Sequence, residues 1–209
     1  MDRQRISNYS KVIVIILGVC CVAVALATLP MRPPGWGYLY LLAFAILIAP
    51  RMTLMLPRSK FAISFSDAVI FLTFLLYDGN AAIVLAAVET LANCIYLRSK
   101  GLTFGRLMVP TNVSIAAVST SVTFLVCHAL TTLSGNPLSP AKTPHLITIV
   151  GILAVSQFIV SSVLAAYFQA LKDGSSTWDT WKKDCFSSSM TQIVGAGLAA
   201  LVFKLINYS

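Results

Sequence analysis

The sequence predicts an all-α polytopic transmembrane helical bundle of about seven spans, with its N-terminus in the cytoplasm. Three observations point there. Seven apolar stretches divide the chain. Twelve of the fifteen Lys and Arg residues fall in alternate gaps between them, where short basic segments are retained in the cytoplasm. Only 11% of the 209 residues are charged, against about 25% in an ordinary soluble domain, and mean hydropathy is +0.84. A water-facing globule needs more polar surface than this, so lipid is the solvent.

The basic gaps hold Arg3, Arg5 and Lys11, then Arg51, Arg58 and Lys60, then Arg98, Lys100 and Arg106, then Lys172, Lys182 and Lys183. The intervening gaps hold Arg32, none, and Lys142, and Lys204 lies in the last stretch. This reading puts the C-terminus outside and makes the chain one multi-pass domain in a bacterial inner membrane. The net charge of +8 is spread over short loops and forms no basic face, which excludes a nucleic-acid partner. The five cysteines show no CxxC spacing, so neither a disulfide framework nor a zinc site is expected.

Spans are expected over 12–29, 37–49, 61–77, 81–97, 111–130, 145–171 and 186–206. The first has basic residues before it and an Ala-rich end, a layout that a cleaved secretory signal shares. The segment from Met31 to Gly37 reads as an outer turn with an interfacial Trp36. The third span opens on Phe61 to Asp67, where Ser64 or Ser66 has the chemistry of an N-cap. Asp78-Gly79-Asn80 reads as a tight turn, so spans three and four form a hairpin. Pro110 fits the first turn of the fifth span. Asn136-Pro137 and Pro140 break the longest outer loop. The polar segment Lys172 to Cys185 reads as a cytoplasmic loop with Trp178 and Trp181 at headgroup level.

Two carboxylates fall inside predicted spans, Asp67 and Glu89. A charge at mid-membrane costs at least about 2.5–3.5 kcal/mol, so such residues face a bundle interior or a wet cavity. Asp67 is placed roughly 9 Å and Glu89 roughly 12 Å from the cytoplasmic end of antiparallel neighbours, counting 1.5 Å per residue. Asn93 lies one turn from Glu89, and Asn112 starts the next span from the same side. Asp67, Glu89, Asn93 and Asn112 are therefore the candidate intramembrane polar cluster. It is either a ligand or proton pocket, or a structural network in which Glu89 is protonated or bonded to Asn112.

His128 and His145 bracket the longest outer loop, with Cys127 adjacent. They are either ordinary interfacial histidines or a metal or pH-sensing site. Ser156, Gln157, Ser161, Ser162, Gln169, Thr191 and Gln192 read as interhelical packing contacts. Gly18 with Ala23 and Ala27, and Gly195 with Gly197, Ala199 and Ala200, read as smooth faces for close helix approach. Three Asn-x-Ser matches carry little weight, two of them lying at membrane or cytoplasmic positions. Gly101 to Arg106 lacks the spacing and ending of a P-loop. No nucleophile–base pair or metal-ligand motif stands out, so no enzymatic activity and no cofactor are expected.

The stretch Ile63 to Leu72 resembles the membrane-integral input domains (MASE-type sensors) that precede HD-GYP or GGDEF catalytic domains in bacterial cyclic di-GMP signalling proteins. The helix with Glu89, the Arg106-Leu107 to Asn112 stretch, and Trp181-Lys182-Lys183 with the Gly195–Ala200 segment extend the resemblance over most of residues 61–203. It implies a signal-input or anchoring module, without supplying a ligand or binding residues. This sequence departs from the pattern in carrying no catalytic domain, and seven spans leave the C-terminus on the wrong side for one. The expectation is a stand-alone relative, or a piece lacking an eighth helix and an output domain. The implied partners are the lipid bilayer and either a cytoplasmic signalling output protein or another membrane subunit, with a homodimer also open. The alternative is a small-molecule transporter subunit, similar to the substrate-binding membrane component of vitamin uptake systems. A helix broken near mid-bilayer marks that class, and no Gly/Pro-interrupted span stands out.

Overall fold

The computed structural model describes residues 3–29, 35–51, 54–55, 62–63, 65–133, 140 and 142–208, the side chains at 3–4, 54–55, 62–63, 184–188 and 208 excepted. Seven α-helices fill most of it: α1 Arg3–Thr28, α2 Trp36–Leu47, α3 Ser66–Leu76, α4 Gly79–Ser99, α5 Met108–Leu133, α6 Thr143–Asp173 and α7 Thr177–Tyr208. A 3-10 turn, Ala49–Arg51, extends α2. A minimal antiparallel ribbon pairs β1, Leu54–Met55, with β2, Ala62–Ile63.

Five helical stretches are long and apolar enough to cross a membrane: Arg5–Thr28, Gly79–Ser99, Met108–Leu133, Thr143–Asp173 and Ser189–Asn207. The α2 segment and α3 are apolar but shorter. At 1.5 Å per residue, α3 covers roughly 16 Å, about half a bilayer core. It tolerates this length because it is the axis of the bundle. Ala68 to Thr73 are six consecutive buried residues, so α3 is enclosed on every side. Phe71 and Leu72 pack with Leu153 of α6 and Phe203 of α7. Val69 and Ile70 pack with Tyr38 and Ala45 of α2 and Leu85 of α4.

The third span departs from expectation at its start. The helix begins at Ser66, because Ala62 and Ile63 spend their backbone groups on the ladder to Met55 and Leu54. Phe65 occupies the N-cap position with no side-chain cap bond, and the Ser66 side chain turns to α4 instead. Of the other candidate cap, Ser64, and of Phe61, nothing is described. The expected hairpin does form. Only Tyr77 and Asp78 separate α3 from α4, and the Asp78 carboxylate accepts from the Ala81 amide at 2.7 Å. Gly79 and Asn80 belong to the first turn of α4 rather than to a turn of their own. Gly79 is the close-approach residue there, since a Cβ would enter the Phe124 ring of α5.

A second departure concerns Lys172 to Cys185, expected as a loop. Gly174, in the left-handed conformation at φ 72°, ends α6, and α7 resumes at Thr177. Trp178 and Trp181 share one helical face and stack at 5.1 Å. The Trp181 indole donates to Ser162 Oγ of α6 at 2.9 Å, so tertiary contact holds a polar segment helical. The helix ends carrying Lys11, Arg98, Lys172 and Lys182 gather at one end of the bundle, hereafter the basic end. Ser10 of α1 meets Tyr167 of α6 there, and Asn112 of α5 meets Cys94 of α4. Arg58 and Lys60, and the side chains of Arg3 and Cys185, lie outside what is described, as do Met31 to Pro34 and the Asn136-Pro137 breaker.

Helix α1 is the most apolar and least buried of the five long stretches. It docks on α5 through Gly18 and on α4 and α5 through Ala25. The expected partners in that smooth face, Ala23 and Ala27, are exposed instead, because Ala25 lies on the buried side between them. On α7, Gly195 packs tightly, Ala199 is buried, and Gly197 faces open space.

Helices α5 and α6 share a buried polar contact. Thr123 Oγ1 donates to Gln157 Oε1 at 3.0 Å, and Gln157 Nε2 donates to Thr120 Oγ1 at 3.4 Å. Both threonines are fully buried. Gln157→Ala is expected to lower the thermal midpoint in detergent, at a cost of about 1 kcal/mol. Combining it with Thr120→Val and Thr123→Val should recover part of the loss, because no polar group is then left unpaired. A triple variant that melts below the single one contradicts this account.

Candidate functional site

The α3–α4 hairpin sets two carboxyls at one depth. Asp67 lies nine residues before the end of α3, and Glu89 lies ten residues after the start of α4. Each is therefore roughly 14–15 Å from the turn that joins them. Asp67 sits on the first turn of α3 rather than six residues inside it, and Glu89 is the midpoint of α4. The half-length helix thus begins at mid-bundle, directly on the carboxylate pair, and the Asp67 charge acts on Glu89.

Each carboxyl is held by side chains from a neighbouring helix. The Ser66 hydroxyl donates from α3 to Glu89, and Thr90 Oγ1 donates to Glu89 Oε2 at 3.4 Å. The Gln192 side chain of α7 donates to Asp67. Gln192 is 5% exposed, and its Oε1 has no hydrogen-bond partner among the described residues. Glu89 is 4% exposed. Gly195, one turn along α7 from Gln192, lets the helices close here. A Cβ at Gly195 would stand 3.0 Å from Asp67 Cβ and 3.1 Å from the Ala68 amide nitrogen. No basic side chain among the described residues acts on either carboxyl.

Of the four residues expected to cluster, the structure brings Asp67 and Glu89 together. Asn112 joins only through Cys94, whose Sγ accepts from Asn112 Nδ2 at 3.9 Å, and it does not bond Glu89. Asn93 is half-buried and bonds no described residue. Ser66, Thr90 and Gln192 complete the cluster instead. Gln192 was read as an ordinary packing residue. The signal that separates it is its spacing: three residues before Gly195, it lies on the face that approaches α3.

The opposite end of the bundle holds a cavity of about 240 Å³. Its walls include Phe74, Gly79, Phe124, Cys127 and Leu153, with Asp78 and His128 as the polar groups. The Asp78 carboxylate is already committed to capping α4, and the His128 ring lies 6.2 Å from the Phe124 ring. His145 is not among the residues lining it. Among the described residues no group of three His, Cys, Asp or Glu side chains is placed to hold a metal ion. The cavity is therefore an apolar recess, and the convergent polar chemistry lies at Asp67, Glu89 and Gln192. Against known proteins, no family model, no curated sequence and no solved structure matches this chain.

Proposed function

We propose that this chain is a membrane-embedded signal-input module without catalytic activity of its own. Its receptive element is the Asp67–Glu89–Gln192 group. We read it as crossing a bacterial inner membrane seven times, with α2 and α3 as short crossings and the basic end in the cytoplasm. One observation carries the reading. α7 is a single unbroken helix from Thr177 to Tyr208. Gln192 in its middle touches Asp67, and its first turns present Trp178, Trp181 and Lys182 at the basic end. A rigid helix that contacts the buried carboxyls and emerges at the cytoplasmic surface is a mechanical link between the two. A signalling output protein docking on that surface would sense any change in how α7 seats on α3.

Labelled cysteines test this. Arg98→Cys on α4 and Lys183→Cys on α7 are both exposed positions at the basic end. Spin labels there report the seating of α7 on the hairpin. Glu89→Gln and Asp67→Asn, which neutralise the site, are expected to shift the label distance by about 1–2 Å, the scale of helix shifts in switching proteins. Identical distance distributions in the parent and both neutral variants would remove the signalling reading.

A second reading is favoured by α3. A half-length helix whose N-terminus meets polar groups at mid-bundle is the geometry found at substrate and ion sites of membrane transporters. A transporter subunit of that kind would move solute in reconstituted vesicles without displacing α7.

A further inference from the structure

We propose that Asp67, Glu89 and Gln192 form a binding site for one dehydrated Na+ ion, for which protons compete. The inference rests on the reading of this group as the receptive element, and it names the ligand.

Two observations point independently to a ligand. The first is the carboxylate pair, which has no basic neighbour among the described residues. The second is Gln192. Its amide is almost fully buried and anchored to Asp67 through one end, while its other end, Oε1, is an acceptor with no donor among the described residues. A buried amide oxygen without a donor costs about 1–3 kcal/mol. A cation between Gln192 Oε1 and the two carboxyls removes that cost and the repulsion between the carboxyls together.

The donor set defines the ion. Every group is a hard oxygen: two carboxyls, the Gln192 amide and the hydroxyls of Ser66 and Thr90, with no imidazole within the group. Gly195 lets α7 close against Asp67, which favours a small ion over an organic ammonium. Mg2+ keeps several waters, and Ca2+ draws six to eight oxygens, usually including loop carbonyls. Here Glu89 and Gln192 lie inside continuous helices whose carbonyls are committed to the helix. Two carboxylate oxygens already accept from Ser66 and Gln192. A low coordination number and single charge remain.

The other charged and titratable groups on the surrounding helices are engaged or remote. On α4, the Cys94 thiol faces Glu89 and accepts from Asn112 of α5. On α2, the Tyr38 hydroxyl donates to the Ala81 carbonyl near the hairpin turn. After α2, Arg51 donates to the Leu47 carbonyl. On α7, Lys204 donates to Thr143 at the far end of the bundle. Among the described residues none supplies a positive charge in place of the ion.

The test is thermal unfolding of the full chain in lipid nanodiscs at equal ionic strength, in NaCl, CaCl2 or N-methylglucamine chloride, at alkaline and at mildly acid pH. The expected result is a higher midpoint in NaCl than in N-methylglucamine chloride at alkaline pH, shrinking under acid as protons displace the ion. Gln192→Leu, which keeps both carboxyls, is expected to weaken the sodium response about tenfold in concentration. Glu89→Gln should abolish it, whereas Gly197→Ala, facing open space, should leave it intact. A midpoint that moves with pH and not with sodium overturns the proposal, as does a rise specific to calcium. A sodium response that survives in both Gln192→Leu and Glu89→Gln overturns it equally. The label-distance experiment reads helix seating without reference to sodium, so the two proposals fail separately.

Discussion

Gly18→Leu is expected to release α1 from the bundle. A Cβ at Gly18 would fall 2.5 Å from the Ser114 Cα of α5, so the obstacle is backbone, which no rotamer change can clear. In lipid the two helices gain nothing from burying apolar surface, and close packing through small residues supplies the attraction. Overpacking a tight contact costs about 1–3 kcal/mol, and an unyielding backbone puts this case at about 3 kcal/mol or beyond. Beyond Gly18, Ala25 is buried against α4 and α5, and Ser10 meets Tyr167 at 3.0 Å. Ser114→Gly should rescue little, since the Cα remains. The matched controls are Gly151→Ala and Gly197→Ala, both helical glycines facing open space. These should hold stability or raise it by about 0.5–1 kcal/mol, because alanine is the better helix former. Thermal unfolding in detergent separates the two groups. Equal midpoints for Gly18→Leu and Gly197→Leu would dismiss the α1–α5 contact as the thing that holds α1.

Glu89→Ala is expected to destabilise the bundle at neutral pH more than Glu89→Gln does. The alanine leaves Ser66 and Thr90 without the acceptor they use and opens a void at the midpoint of α4. Both donors are partly buried, so each loses up to about 1–3 kcal/mol when unpaired, and the cavity adds to it. The glutamine keeps the volume and an acceptor oxygen, and it removes the repulsion from Asp67. Adding Asp67→Asn to Glu89→Ala should then cost more than Asp67→Asn alone costs in the parent, because in the parent the same change also relieves the repulsion between the two carboxyls. Strict additivity in that double-mutant cycle would show that the carboxyls do not act as a pair.

The long helices are legible in sequence because length and apolar composition are local properties. The spans expected over 81–97, 111–130 and 145–171 fall within α4, α5 and α6, and each helix runs further at both ends. The start of α3 is not legible in the same way. Composition stays mostly apolar through Phe61 to Phe65, broken by Ser64 alone, and what stops the helix is a ladder to Leu54 and Met55, set by pairing at a distance. The first nine residues of α7 are hidden for a related reason. Their polar composition reads as loop, and it takes Ser162 on another helix to bind Trp181. Within the site, the two carboxylates announce themselves by the cost of charge in lipid. Asn93 is expected there from its helical spacing to Glu89 and Asn112 from its depth, and neither spacing nor depth says which partner a side chain finds. Gln192 was obscured because neutral amides in membranes are ordinarily packing groups, and only its contact with Asp67 distinguishes it.

The two-residue link between α3 and α4 bears on how the protein is made. A segment of eleven residues with a carboxylate on its first turn is a poor substrate for the insertion machinery, which selects stretches near twenty apolar residues. α4 meets that length, and Tyr77 and Asp78 give α3 no slack to remain behind in water once α4 has entered. On the seven-span reading proposed above, the short helix enters as the passenger of the long one. Because Ala68 to Thr73 are covered by α2, α4, α6 and α7, its final seat exists only after α7 has been made. Asp67 must wait for Gln192 until then, so the central site closes only after the six helices that precede α7 have been synthesised.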